Sequence, residues 1–452
     1  MSSTNTVTVV GGGLAGSEAA WQCARFGVPV TLYEMRPDKT DSAHSTDLLA
    51  ELVCSNSLKS QDPTSAAGTL KRELRSLGSL VIDVAHETMV PAGAALAVDR
   101  DTFARRVTER VSSHPLIRLV RSELSDLPEG RLIVATGPLT SDAMQTALSA
   151  LVGEERLAFF DAAAPIIDAE SVDCDIAFSA SRYGKGGGED YLNCPLTRDE
   201  YESFISELTH AQRVTPHDFE REKLFQACQP VEEIAFSSPD ALRYGALKPV
   251  GLVDPRTSER PWAVVQLRSE NAARTAFNLV GFQTSLTFGE QQRIFRMIPG
   301  LQDAEFLRYG VMHRNTFLDA PRLLDATLAL RSQPRLRFAG QITGTEGYLE
   351  AAATGLLAAF NAVADTRGLG PFVLPSETAL GALVAYATNP DTARYQPMHV
   401  NWGLVPPLDP PTGGKRNRYA RYAARATDAL QHALSRHPLT GAIAEVPVSS
   451  DV

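Results

Sequence analysis

The chain has 452 residues, 44% hydrophobic and 21% charged, enough to bury one large core or two moderate ones and unlike any disordered or fibrous composition. Its formal net charge of −10 argues against nucleic-acid binding over the whole surface and leaves room only for a local basic patch. No apolar run is long enough to span a bilayer and the N-terminus does not read as a leader, so a soluble, cytoplasmic protein with no membrane contact is expected.

The stretch Val7 to Glu34 reads as strand, tight turn, helix, strand. Val7–Val10 is a β-branched run, Ala15 to Ala24 supplies helix formers, and Val28 to Tyr33 returns to a buried-strand pattern. Gly11, Gly13 and Gly16 have G-x-G-x-x-G spacing: the first permits the sharp turn, the second lets a pyrophosphate approach the backbone, and the third lets helix and strand pack closely. Leu14 and Ala15 open the helix, whose N–H groups and dipole would face the phosphates. Glu34 ends the second strand where a ribose hydroxyl would need an acceptor, which disfavours NADP in this slot and allows NAD or the adenosine half of FAD.

Five cysteines (Cys23, Cys54, Cys174, Cys194, Cys228) are widely spaced without a C-x-x-C pair, which fits free thiols and neither a disulfide framework nor a zinc site. Cys54 lies in the polar stretch ELVCSNSLKS, expected to be a loop beside the nucleotide, before a helix starting near Thr69. It reads equally as a small buried thiol or as a reactive one activated by Lys59, Lys71 or Arg72. A helix over AVDRDTFARRVTERV and strands over LIRLVRSE and RLIVATGP follow. Ala135–Gly137 is either a plain strand end or the strand-to-loop element that flavoproteins place near their cofactor.

Beyond residue 160 the βα rhythm stops, and an inserted domain is expected. YGKGGGEDYLNCP reads as a glycine-rich loop, DEYESFISELTHA as an amphipathic helix, and Pro230 as the end of a helical run carrying Cys228. Arg243, Lys248, Arg256, Arg260, Arg268 and Arg274 form either a cationic wall or a solvated face. No second nucleotide domain is visible. Near residue 335 the α/β pattern resumes, with strand Leu336–Ala339, a loop holding Gly340, Gly344 and Gly347, and a small-residue helix whose N-terminus could face a polarised group such as a flavin's pyrimidine edge. A basic helix closes the chain, with Arg418, Arg421 and Arg425 on one face and Tyr419 and Tyr422 between them; it suits either RNA or local acids.

Together GGGLAGSEAA, ELVCSNSLKS, KGGGEDYLNCP, LKPVGLVDPRT, AVVQLRSENAA, NLVGFQTSLTFGEQ, FRMIPGL, RYGVMHRNTF, FAGQITGTEGYLEAAATG and NWGLVPPL closely resemble the bacterial folate- and FAD-dependent tRNA (uracil-5-)-methyltransferase family over nearly the entire chain. The resemblance implies an α/β fold: a Rossmann-type FAD-binding domain in two parts, residues 1–160 and 305–452, with an inserted α+β domain at 161–304 and a helical C-terminal segment. It implies methylation of uridine 54 in the tRNA T-loop, with methylenetetrahydrofolate as carbon donor, reduced FAD as hydride source and NAD(P)H as external reductant. Cys228 would be the nucleophile, Cys54 the general base, and Cys194 structural. His313 would stack on folate, and Tyr348 would lie by the flavin. Gly11, Gly13, Leu14, Ala15, Gly16, Glu34, Gly340, Gly344 and Gly347 would complete the cofactor site, and arginines of the insertion and the last helix would contact the T-arm. The same residues are compatible with this chemistry on an rRNA uridine, with a generic FAD oxidoreductase, and with a non-catalytic RNA-binding flavoprotein.

Overall fold

The computed structural model describes all residues except 1–4, 42, 54, 154–156, 163, 186, 215–228, 270–273, 275, 311, 393–394, 396, 410–413 and 440–452. Its central sheet follows from the apolar runs. β1 (Val7–Val10) is in the middle, with β2 (Val30–Glu34) and then Ile117–Arg121 on one side, and Arg131–Val134 and then Gln333–Phe338 on the other. These five strands are parallel, Val7 standing opposite both Val30 and Arg131, and a short antiparallel strand, Ala329–Leu330, closes the edge. Parallel neighbours require crossovers, and helix α1 (Leu14–Arg25) makes the one from β1 to β2.

Against α1 packs the long helix Tyr348–Thr366, buried along most of its length, which explains its small-residue composition. Backbone contact sets their separation. A Cβ added at Gly16 would stand 1.7 Å from the Gly11 carbonyl oxygen, and one added at Gly355 would stand 2.2 Å from that of Ala15. Asn361, buried in the same helix, donates to the carbonyls of Leu357 and Phe372 at 3.1 and 3.0 Å, so its amide is satisfied inside the core.

The inserted region forms a second, antiparallel sheet in the order Phe178–Ser179, Tyr191–Leu196, Ala263–Ser269, Ala276–Leu279, Ile166–Asp168, Phe306–Arg308. In Ala263–Ser269 the alternation places Ala263, Val265 and Leu267 in a core with Phe204 and Leu208 of the helix Arg198–His210 and with Ile294 and Phe295. Gln266 and Arg268 take the opposite face. Leu157–Ala162 leads out of the first unit and pairs antiparallel with the returning strand Met312–Leu318.

Two local expectations differ from the structure. The helix expected near Thr69 begins at Ala66, because the Ser65 hydroxyl accepts from the Gly68 N–H and caps it. YLNCPL is a strand, not loop: Asn193 is wholly buried, its amide donating to the carbonyls of Phe178 and Ala180, and Pro195 lies beyond the two residues that Phe178–Ser179 covers, where no ladder partner is required of it. The helical run expected before Pro230 lies outside the described residues; Pro230 itself precedes a helix, Val231–Ser237, as a residue without a needed N–H can. Among the described residues no helix is long and apolar enough to cross a membrane.

The Gly355–Ala15 approach leaves no room for a branched side chain. Gly355→Val is expected to lower the unfolding free energy by about 1–3 kcal/mol through overpacking, measured by chemical denaturation.

Candidate active site

The turn after β1 is shaped by contacts that leave its far side open. Gly11 adopts φ +100° and its N–H donates to the Tyr33 carbonyl at 2.8 Å, while a Cβ on it would stand 2.5 Å from the Ala135 oxygen. The next N–H, of Gly12, donates to Glu34 Oε2 at 2.8 Å. Gly13 then opens α1 with no side-chain cap, and nothing lies within 4 Å of where its Cβ would be. A helix N-terminus facing open space beside a bare backbone is what a pyrophosphate requires.

That space is a cleft of about 1010 Å³, including its open mouth. It runs from Tyr33, Glu34 and Met35 past Gly11–Ala15 to Gly340, Gln341 and Tyr348, with Ala135–Gly137 along its wall. The helix beginning at Tyr348 also has no side-chain cap, so helix N-termini stand by both the turn and the Tyr348 end. These residues fit an extended dinucleotide such as FAD: an acceptor at one end, phosphate-binding backbone in the middle, and an aromatic side chain with backbone donors at the other. Gly11, Gly13, Leu14, Ala15, Glu34, Gly340 and Tyr348 line the cleft. Gly16, Gly344 and Gly347 stand behind its wall: a Cβ on Gly344 would meet the Tyr395 hydroxyl at 2.4 Å, and one on Gly347 would meet Glu350 Oε2 at 2.4 Å.

Glu34 is almost wholly buried. Burial alone would raise its pKa, but Arg36, with its Nε 2.9 Å from Oε1 and its N–H at 3.1 Å, and the Gly12 N–H outweigh this and hold the carboxyl below the usual range. Arg36, at 2% exposure, also donates to Glu51 Oε2 at 3.1 Å and to the Thr46 carbonyl. One buried guanidinium therefore joins the ribose end of the cleft to the first residue of ELVCSNSLKS. Sequence reasoning passed over Arg36, since arginine is seldom buried and nothing in its spacing marks it.

Cys54 and Cys228 lie outside the described residues, but both neighbours of Cys54 and the residues after Cys228 are described. Val53 lines the cleft, and the Ser55 N–H donates to the Tyr348 hydroxyl at 3.1 Å. Asn56, fully buried, donates to the carbonyls of Val98 and Ser269. After Cys228, the buried carboxylate of Glu232 accepts from the Thr284 hydroxyl at 2.8 Å and the Ser285 N–H at 2.6 Å, anchoring the helix Val231–Ser237 to the FQTSL segment. Of His313 the structure gives the place in strand Met312–Leu318, opposite Asp161. Cys194 is buried in its strand, and burial pushes its thiol pKa well up; the buried Cys23 thiol is likewise pushed up, to about 12, and Cys174 is exposed.

The cations are mostly committed. Lys59 pairs with the buried carboxylate of Glu350, Lys71 donates to the Ser60 carbonyl, and Arg72 donates to that of Pro63. Burial lowers the Lys71 pKa to about 8. In the insertion, Arg243 stacks on Trp262 at 3.8 Å, Arg256 holds Asp254, Arg268 is buried, and Lys248 and Arg260 are exposed. On the last helix, Lys415–Arg436, Arg425 donates to the carbonyls of Pro406 and Pro407, and Tyr422 stacks on Trp402 at 5.2 Å. Arg416 and Arg418 are exposed.

Fold and cleft define a Rossmann-type dinucleotide-binding protein carrying an antiparallel insertion. Residues 6–369 match the family model described as glucose inhibited division protein A. A protein of Symbiobacterium thermophilum is 56% identical over 428 residues, covering 94% of this chain and 96% of its own length, and one of Geobacter sulfurreducens is 55% identical over 433 residues, covering 96% and 99%. Both are named methylenetetrahydrofolate–tRNA-(uracil-5-)-methyltransferase TrmFO. Among solved structures, Aquifex aeolicus GidA in its form II crystal superposes with a TM-score of 0.70 at 17% identity, over 98% of this chain and 75% of that one, a likeness of fold. The chain belongs to the family of folate- and FAD-dependent tRNA (uracil-5-)-methyltransferases.

Removing Arg36 would leave the buried Glu34 and the partly buried Glu51 without their cation. Arg36→Met is expected to cost about 3–5 kcal/mol of stability in a denaturation titration and to lower the flavin content of the purified protein.

Proposed function

We propose that this protein methylates carbon 5 of uridine 54 in the tRNA T-loop, taking the carbon from methylenetetrahydrofolate. The observation that carries the reading is the identity of more than half the residues with the methyltransferases named above along nearly the full length of both chains. The cleft, with the Glu34 acceptor at one end, the bare backbone of Gly11–Ala15 in the middle and Tyr348 at the other end, supports FAD as the bound cofactor.

Carbon 5 of uracil is a poor nucleophile. Cys228, as thiolate, adds to carbon 6; electron density moves to carbon 5, which bonds to the methylene carbon as one of that carbon's two bonds to folate nitrogen breaks. Cys54 then takes the proton from carbon 5 while the second carbon–nitrogen bond breaks, releasing tetrahydrofolate and leaving a methylene group double-bonded to carbon 5; a hydride added to that methylene makes the methyl group, and expulsion of the Cys228 thiolate restores the ring double bond. Reduced FAD, when bound, would supply that hydride. Gly13 and the start of α1 hold the pyrophosphate, Glu34 accepts from the ribose, and Tyr348 flanks the flavin. His313 stacks on folate. NAD(P)H reaches the flavin from solution. The exposed Lys248 and Arg260 of the insertion (161–304), and Arg416 and Arg418 of the second part of the FAD-binding domain (305–452), contact phosphates of the T-arm in the cytoplasm.

A T-arm RNA carrying 5-fluorouridine tests the roles, because fluorine at carbon 5 blocks the final proton removal and traps the thiol adduct. On denaturing gels, wild type and Cys54→Ala are expected to form the adduct and Cys228→Ala to lose it, while turnover on natural tRNA falls by about a thousandfold or more in Cys228→Ala. Absence of an adduct with flavin-loaded wild type would remove the reading.

A further inference from the structure

The strand Ala263–Ser269 has an apolar face in the insertion core and a polar face, Gln266 and Arg268, that is buried as well. A polar face buried on both sides must find its partners in whatever covers it. Gln266 is satisfied within the insertion, donating to Asn193 Oδ1 at 2.9 Å and accepting from Arg182 Nε at 2.9 Å. Arg268 instead reaches out of the insertion. Its Nε donates to Asn56 Oδ1 at 2.8 Å and its Nη2 donates to Ser55 Oγ at 2.9 Å. Asn56 returns the contact, its Nδ2 donating at 2.7 Å to the carbonyl of Ser269, the residue after Arg268. The Ser55 hydroxyl that Arg268 holds also accepts from the Ser57 N–H at 3.1 Å, and the Ser55 N–H is held by the Tyr348 hydroxyl.

The residue directly after Cys54 is thus gripped from two directions, by the helix at the flavin end of the cleft and by a strand of the insertion. A rigid fork with two donors fixes orientation as well as distance, which a solvated or phosphate-facing arginine would not do. We propose that Arg268 is a positioning residue for the reaction: from the insertion it holds Ser55 and Asn56, and through them it sets the place of the Cys54 thiol relative to the cleft. This rests on the reading of Cys54 as the base. It also ties the segment that bears the base to the docking of the insertion.

The test labels Cys54 with N-ethylmaleimide in FAD-loaded protein without RNA, followed by peptide mass spectrometry, for wild type, Arg268→Met and Arg268→Lys. Values of kcat and KM for tRNA methylation are measured beside it. In Arg268→Met the Cys54 labelling rate is expected to change by about tenfold and kcat to fall by about ten- to a hundredfold, as for a reacting group displaced by about 1 Å. Flavin content, KM for tRNA and labelling of the exposed Cys174 stay as in wild type. Arg268→Lys, which keeps the charge and can reach one partner, recovers part of both effects. Unchanged Cys54 labelling in Arg268→Met overturns the proposal, and so does a loss of kcat that comes with an equal loss of bound flavin. If Arg268→Met does not fold, Arg268→Lys carries the same comparison: altered Cys54 labelling supports the role and wild-type labelling contradicts it. Labelling needs neither RNA nor folate, so a wild type that fails to methylate tRNA would count against the functional reading alone.

Discussion

A single buried guanidinium, that of Arg36, holds the two carboxylates on which the cofactor end of the molecule depends. Burial opposes a charge on Glu34. Arg36 and the Gly12 N–H overcome the penalty, and the second arm of Arg36 spends the same charge on Glu51. Because Glu51 opens the segment that ends in Cys54 and Asn56, the geometry of the nucleotide turn and that of the cysteine-bearing segment are set together. Hydrogen bonds to charged groups in a low-dielectric site are the strong ones, which is why a few of them suffice.

The same logic recurs where irregular backbone has to find side-chain partners. Beside Ser55, where the two units meet, these partners are Arg268, Asn56 and the Tyr348 hydroxyl. Within the insertion, Glu232 receives Thr284 and Ser285. Both sets are polar and drawn from residues far apart in sequence, and each ties a loop or a helix start to a distant element.

The legible parts of the sequence were those governed by local rules. The turn Gly11–Gly16, the acid at Glu34 and the strand-loop-helix around Gly340 follow from spacing alone, and the structure brings Glu34, Gly13, Gly340 and Tyr348 to one cleft. What could not be read depended on long-range partners. YLNCPL looked like loop because Asn and Pro are poor strand formers, yet the Asn193 amide is satisfied by carbonyls of a neighbouring strand and loop. Arg268 looked like one of six surface cations; only the fold shows its guanidinium turned inward onto Ser55 and Asn56. Arg425, set on a basic face by periodicity, is held to the proline-rich connection, and Tyr422, read as lying between those arginines, stacks on Trp402.

The central claim is that a folate carbon reaches carbon 5 of a tRNA uridine on this chain. The direct measurement uses methylenetetrahydrofolate labelled in its methylene carbon, flavin-loaded protein reduced by NADH or NADPH, and a full tRNA transcript, with the product digested and mapped. The account predicts label in 5-methyluridine at position 54 and none when labelled S-adenosylmethionine replaces the folate. Flavin that turns over while no folate-derived carbon enters the RNA would contradict it.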